Sequence, residues 1–192
     1  MLIRQVDHSF ILLHLRQLAH VHTECFSTSE VWHEHWTDYP TPGREDSLSY
    51  LLDVAARETY WVVAVDDDRA LLGEPDRVLA CGIVERLGTD HAADLGIDIR
   101  GKEGTVFYNV VYFHDPEAGG RGLAHALIER RLYLVEEMGG RELWTRTHKD
   151  HVHMDKILRE FGFEPMSEQE VDEAGVISVR VRYRKLIGPR SG

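Results

Sequence analysis

Residues 105–124, TVFYNVVYFHDPEAGGRGLA, restrict what this chain can fold into more than any other stretch. A β-rich run ends at Asp115-Pro116, turns through Gly119, Gly120 and Gly122, and opens directly into an amphipathic helix. A strand that delivers a glycine-rich turn to a helix N-terminus gathers unpaired backbone N–H groups at the positive end of the helix dipole. Such a place suits an anionic group, phosphate first. Two well-known phosphate turns are excluded by the residues present. The dinucleotide fingerprint needs a glycine where His125 stands, and the nucleotide P-loop needs Gly-Lys-Ser/Thr. What remains is Gly119-Gly120-Arg121-Gly122-Leu123-Ala124, read either as an anion cradle or as a tight strand-to-helix connection without a ligand.

The order of segments around this turn narrows the choice. Residues 60–65 and 77–86 read as two strands joined through the polar region at Asp66-Asp67-Asp68, and a third strand covers 105–114. The following helix carries Ala124, Ile128, Leu132 and Val135 on one stripe and stops at Gly139-Gly140. A strand over 142–147 leads to a second helix ending at Phe161-Gly162-Phe163. Helical segments near 9–26 and 45–58 precede the core, and a strand over 176–186 follows it.

Asp115-Pro116-Glu117-Ala118 and the glycine turn together resemble the acetyl-CoA signature of the GNAT superfamily of N-acetyltransferases, in which Gln/Arg-x-x-Gly-x-Gly/Ala follows a strand. Gly122 and Ala124 fit; Gly119 stands where Gln or Arg is usual, which removes one side chain but no backbone donor. The strand-helix-strand-helix-Gly-Phe order over 105–163 is similar to the family core, and the resemblance extends over nearly the whole chain. It implies an α/β fold: one domain over residues 1–192, with a mixed, twisted central sheet flanked by helices on both faces. It also implies acetyl-CoA as co-substrate and a primary amine as acceptor, either a small molecule or a protein amino group. The pantetheine slot falls on Tyr112 and His114, with the Tyr112 N–H as oxyanion donor. The pyrophosphate cradle falls on Gly119, Gly120, Arg121, Gly122, Leu123, Ala124 and His125, with Arg121 adding charge.

For the proton, the resemblance points to positions this chain fills differently. Leu158 stands where many members place a tyrosine acid, Tyr108 where some carry a glutamate base, and His151 at a frequent helix-starting asparagine that faces the cofactor. His148, His151 and His153 cluster at the same junction. A neutral imidazole accepts a proton from an amine near pH 7, so His148 is the candidate base, the alternative being a helix-start residue bonded to backbone. The cluster has metal-ligand residue types, as does His33-x-His35, but no His-Glu-x-x-His and no cysteine set accompanies them, so no metal is expected. Trp32, Glu34, Trp36 and Tyr39 lie in a segment that borders the acceptor site in the family. Aromatic faces and a carboxylate suit a cation there, while packing of the tryptophans onto the sheet explains them equally well.

Composition limits the partners. The net charge is −11, with acidic runs at 66–68 and 168–173, a surface that repels nucleic acid and anionic membrane and could attract an amine. With 192 residues, 43% of them hydrophobic, and no low-complexity tract, the chain can bury a full core as a monomer or homodimer. The apolar run at 10–15 is too short for a secretory leader, and two cysteines make no disulfide framework, so the expectation is a cytoplasmic protein. Along 176–186, Arg180, Arg182 and Arg184 alternate with apolar residues and read as a solvated face. Three functions stay open: an acetyltransferase acting by direct attack, a GNAT-like module that binds CoA or acyl-CoA as a sensor and catalyses nothing, and an acyl-CoA-dependent enzyme that uses longer chains.

Overall fold

The computed structural model describes residues 1–28, 44–66, 76–173 and 176–188. Its strands form one seven-stranded sheet in the order β1-β2-β3-β4-β5-β7-β6. β4 and β5 pair in parallel, whereas β1–β2, β5–β7 and β6–β7 pair antiparallel, so the sheet is mixed as expected. The chain divides into two compact units, residues 1–83 with 111–130 and residues 84–110 with 131–192, the division falling inside strands β3 and β4.

In the first unit, β1 (Leu2–Val6) pairs with β2 (Thr59–Asp66) from Leu2↔Val65 to Val6↔Trp61. Asp7 starts α1 (His8–Thr28), its Oδ1 accepting the Phe10 N–H at 2.8 Å. α2 (Arg44–Ala55) packs on α1 through Leu18, Ala19, Leu51 and Val54, all fully buried. One polar network crosses the two helices. His22 Nδ1 lies 2.9 Å from Ser47 Oγ, and the Thr23 hydroxyl, 2.9 Å from the same oxygen, donates to Ala19 O. The His22 ring also meets Phe26, Tyr50 and Phe113, and burial lowers its pKa to about 4. The unit ends with β3 (Arg77–Arg86) up to Ile83, the last residues of β4 (Val106–His114), a 3-10 turn (Pro116–Ala118) and the first half of α4 (Leu123–Glu137).

In the second unit, α3 (Thr89–Asp94) lies over an apolar cluster of Leu87, Ala92, Leu95, Ile97, Ile99, Val106 and Tyr108. β5 (Glu142–His148) pairs with β7 (Val176–Leu186) along its whole length, and β7 pairs with β6 (Glu164–Glu173). α5 (Val152–Glu160) connects β5 to β6. Gly140 closes the C-terminal turn of α4 with its N–H on Val135 O at 2.8 Å. A Cβ at Gly140 would stand 2.3 Å from a Val135 methyl, so only glycine fits this close approach. No helix among the described residues is long and apolar enough to cross a membrane.

Three elements differ from the sequence reading. The acidic run at 168–173 is part of β6, because pairing with β7 outweighs the poor strand propensity of glutamate. The buried stripe of α4 runs through Leu123, Leu127, Ile128, Arg131, Leu134 and Val135. Ala124 and Leu132 are only half-buried, a shift that apolar counting misses because a buried arginine sits in mid-stripe. The arginine row of β7 is not a solvated face. Arg182 donates to Leu95 O, Gly96 O and Ser167 Oγ at 2.8 Å each, and Arg184 lies over the Trp144 ring.

Candidate functional site

The glycine turn is held by the residues that precede it. Asp115 is extended, as a residue before proline must be, and its N–H donates to Leu79 O of β3 at 2.8 Å. Its carboxylate accepts the Glu117 N–H at 2.9 Å, which caps the 3-10 turn, and a hydrogen bond from Arg77 Nη2 at 2.5 Å. Arg77 also reaches Glu117 Oε2 at 3.1 Å, and its bonds to these two carboxylates raise its pKa. Asp-Pro-Glu is thus a clamp that fastens the start of the turn to β3. Ala118, 2% exposed, anchors it from within.

Beyond the clamp, Gly120 and Gly122 have φ of 74° and 71°, a backbone region that side-chain-bearing residues rarely adopt. A Cβ added at either would meet nothing within 4 Å. Glycine is required there by the backbone, and the open space beside it is what close approach of an anion needs. Ala126, bonded to Gly122 O at 3.1 Å, makes an early bond of α4, and the N–H groups of Leu123, Ala124 and His125 precede it at the helix start. Leu123 and Leu127 are buried and fix the helix, while Arg121 and His125 are exposed. The turn therefore combines a helix start, two glycines of positive φ and an exposed guanidinium, the materials from which an anion site can be built.

The β4–β5 register covers Val106↔Glu142, Phe107↔Leu143 and Tyr108↔Trp144 and ends there, although β4 continues to His114 and β5 to His148. Val110, Val111, Tyr112 and His114 are half-buried. The Tyr112 and His114 rings stand 5.7 Å apart, and His114 Nδ1 is 3.1 Å from Asp115 O. From α1, the Cys25 thiol hydrogen-bonds the His114 backbone, and burial pushes its pKa up, which keeps it protonated.

In the second unit, His148 closes β5 opposite Arg180 and is buried, not exposed as a loop histidine would be. His151 caps α5, its Nδ1 accepting the Met154 N–H at 3.3 Å, and burial lowers its pKa. That bond gives His151 a structural task whatever else it does. Among the described residues, no three His, Cys, Asp or Glu side chains gather as metal ligands would. Leu158 packs in the core beside Ile157. Nearby, the Tyr183 hydroxyl donates to Asp155, and burial with this bond pushes its pKa up to about 12. Trp32, Glu34, Trp36 and Tyr39, like His33 and His35, lie outside the described residues.

Sequence reasoning missed one pair entirely. Glu85, 4% exposed, ends β3 with His91 Nδ1 of α3 2.8 Å from its Oε1. The available signal was a carboxylate continuing the apolar run Val78–Val84, a place where a charge must have a partner.

No family model and no curated protein matches the sequence. Solved structures do match over nearly full length. The ribosomal-protein-alanine N-acetyltransferase of Brucella melitensis superposes with a TM-score of 0.67 at 13% identity, covering 97% of this chain and 99% of its own. The aminoglycoside 6'-acetyltransferase type Ii gives 0.65 at 16% identity, covering 99% of each chain. The yncA protein of Salmonella typhimurium, solved with its cofactor acetyl-CoA, gives 0.65 at 9% identity, covering 100% of this chain and 96% of its own. With the mixed sheet, the parallel pair and the glycine turn in the places the resemblance implied, the chain has the GNAT N-acetyltransferase fold.

Proposed function

We propose that this protein is an acetyl-CoA-dependent N-acetyltransferase that moves the acetyl group to a primary amine by direct attack. The observation that carries this reading is the turn from Gly119 to His125. It is clamped to β3 by Asp115, opens a helix, and leaves free space beside two glycines of positive φ. Backbone donors from Gly120 to His125 would hold the pyrophosphate, with Arg121 as an added charge; the Gly119 N–H is bonded to Pro116 O at 3.2 Å, so Gly119 would serve by its shape. Backbone of Tyr112 and His114 would receive pantetheine where β4 has left its register with β5, and the Tyr112 N–H would face the developing oxyanion. His151 would border the cofactor, and His148 is the proton acceptor that the sequence favours. Trp32, Glu34, Trp36 and Tyr39 are the acceptor wall in this reading. The solved structures of the same fold support acetyl transfer as the activity, and their names cover acceptors as different as an aminoglycoside and a ribosomal protein.

A second reading, a CoA-binding module without catalysis, is favoured by Leu158, a core residue at the position expected for a tyrosine acid. One experiment separates the two. The protein is titrated with acetyl-CoA by calorimetry, then mixed with acetyl-CoA and a panel of amines while thiol release is followed. Binding with amine-dependent release is the expected result. Binding without release supports the module, and no binding at millimolar ligand defeats both readings.

A further inference from the structure

Glu85 and His91 have the construction of a proton relay. Residues Val78 to Val84 of β3 are buried, and Glu85 continues that run with its side chain 5% exposed. A carboxylate so withdrawn from water must be paired, and His91 Nδ1 at 2.8 Å pairs it. The His91 side chain is 30% exposed, so the carboxylate is sealed behind and the imidazole is open in front. An ionised carboxylate only accepts hydrogen bonds. It therefore holds the imidazole proton on Nδ1 and leaves Nε2 as the acceptor.

The pair is fixed from two sides. Ala92, Leu95, Ile97 and Ile99 set α3 and its following loop into the apolar cluster, and Arg182 bonds the carbonyls of Leu95 and Gly96. Its location is the telling point. The His91 ring stands edge-on to Tyr108, centroids 6.1 Å apart, and Tyr108 is the last β4 residue in register with β5. The relay thus abuts the point at which the parallel pairing stops. The charged and titratable groups around it are Asp90 and Asp94 on α3, Glu85 on β3, Tyr108 on β4, and Arg146 and Arg180, whose charges act on the Tyr108 hydroxyl. Burial raises the Tyr108 pKa, so it stays a neutral phenol.

We infer that His91, oriented by Glu85, and not the buried His148 that the sequence favours, is the group that takes the proton from the incoming amine, an inference that rests on the acetyl-transfer reading above. An ammonium proton passes to Nε2, and the freed lone pair attacks the thioester carbonyl carbon. The new C–N bond forms and the C–S bond breaks, the thiolate leaving with the bonding electrons. The remaining excess N–H proton goes to that thiolate, giving free thiol and amide, and the imidazolium returns its proton to water through its open edge. Glu85 changes no bond; it is a positioning residue that keeps the tautomer.

The test uses His91→Gln, which keeps a donor toward Glu85 but cannot take a proton, with Glu85→Gln and His148→Ala beside it. With an amine that the wild type acetylates, His91→Gln should lower kcat by roughly a hundredfold or more. It should erase the rise of kcat/KM with pH and leave the calorimetric Kd for acetyl-CoA unchanged. Glu85→Gln should fall between, and His148→Ala should keep the pH limb. His91→Ala should recover activity when imidazole is added, which also serves if the glutamine variant folds poorly. In the free protein, nitrogen-15 NMR of the histidine rings should show His91 protonated at Nδ1, and Glu85→Gln should change that. Full kcat with an intact limb in His91→Gln, loss of the limb in His148→Ala instead, or a proton on Nε2 would each overturn the assignment while acetyl transfer stands. A wild type that binds acetyl-CoA and acetylates no amine would overturn both.

Discussion

The glycine turn and the Glu85–His91 pair are built from different materials. The first is made of backbone: positive φ at Gly120 and Gly122, the first N–H groups of α4, and a short clamp whose acidic members lie within three residues of one another. The second is made of side chains from a strand and a helix, held by a cluster whose members are spread from Leu87 to Tyr108. A site made of backbone needs glycine and proline at set positions, so its construction is written in consecutive residues. A site made of side chains needs only that the fold bring them together.

The comparison breaks most readily at the turn. Gly122→Val places a β-branched residue at φ 71° and fills the space that Gly122 leaves open. Backbone strain there should cost roughly 1–3 kcal/mol of stability. Acetyl-CoA binding should weaken by at least about a hundredfold, or ~2.7 kcal/mol, by calorimetry. Unchanged affinity in a folded variant would show that the turn is only a connection.

A side-chain device on α1 should give the next largest effect. Folded His22 has its pKa lowered to about 4 by burial, against about 6.5 when unfolded. Above pH 6.5 neither state takes the proton and the contribution is whole. As pH falls from there toward 4, the unfolded chain binds a proton that the folded chain refuses, and up to about 3 kcal/mol of stability is lost. Denaturant titrations of wild type and His22→Gln across this window should converge as pH falls; parallel curves would mean that His22 titrates freely.

Smaller again is Asp115→Ala, which removes the cap of the 3-10 turn and the partner of Arg77. A loss of roughly 1–2 kcal/mol in stability is expected, with weaker acetyl-CoA binding by calorimetry, since the turn is then unfastened from β3. Weaker stability with intact binding would separate the clamp from the site. The smallest effect belongs to Arg121→Glu. Its side chain is exposed, so the loss of CoA affinity should be several-fold, shrink with added salt, and vanish for fragments lacking the pyrophosphate.

Legibility in the sequence followed the same division. β2, β3, β4, β5 and β7 stand within a residue or two of where alternation and apolar runs placed them, and α4 opens at Leu123 as the glycines required. β1 and β6 were not foreseen. A five-residue strand carries too short a pattern, and β6 holds four glutamates and a proline that argue against a strand until β7 supplies the partner. The six-residue α3 was too short for helical periodicity. Arg131 interrupts the apolar stripe of α4 with a charge, and its bond to Asn109 Oδ1 at 3.1 Å, a partner twenty-two residues away, is what lets it be buried there. His148, placed by the sequence at the junction after a strand over 142–147, is the last residue of β5, and its burial depends on β7, which lies some thirty residues further on.

β6 closes the sheet on one side, and a sheet border normally invites another chain to continue it. Here the invitation is withdrawn chemically. Pro165 lacks an N–H, the register shifts between Pro165 and Ser167, and Glu164, Glu168 and Glu170 line the same strand. A second copy approaching in that plane would set carboxylate against carboxylate without an orderly ladder to offset the repulsion. The outermost strand of the sheet thus carries its own resistance to being continued, through a missing donor, a broken register and a row of acids, of which Glu168 is held by Lys149 at 2.8 Å.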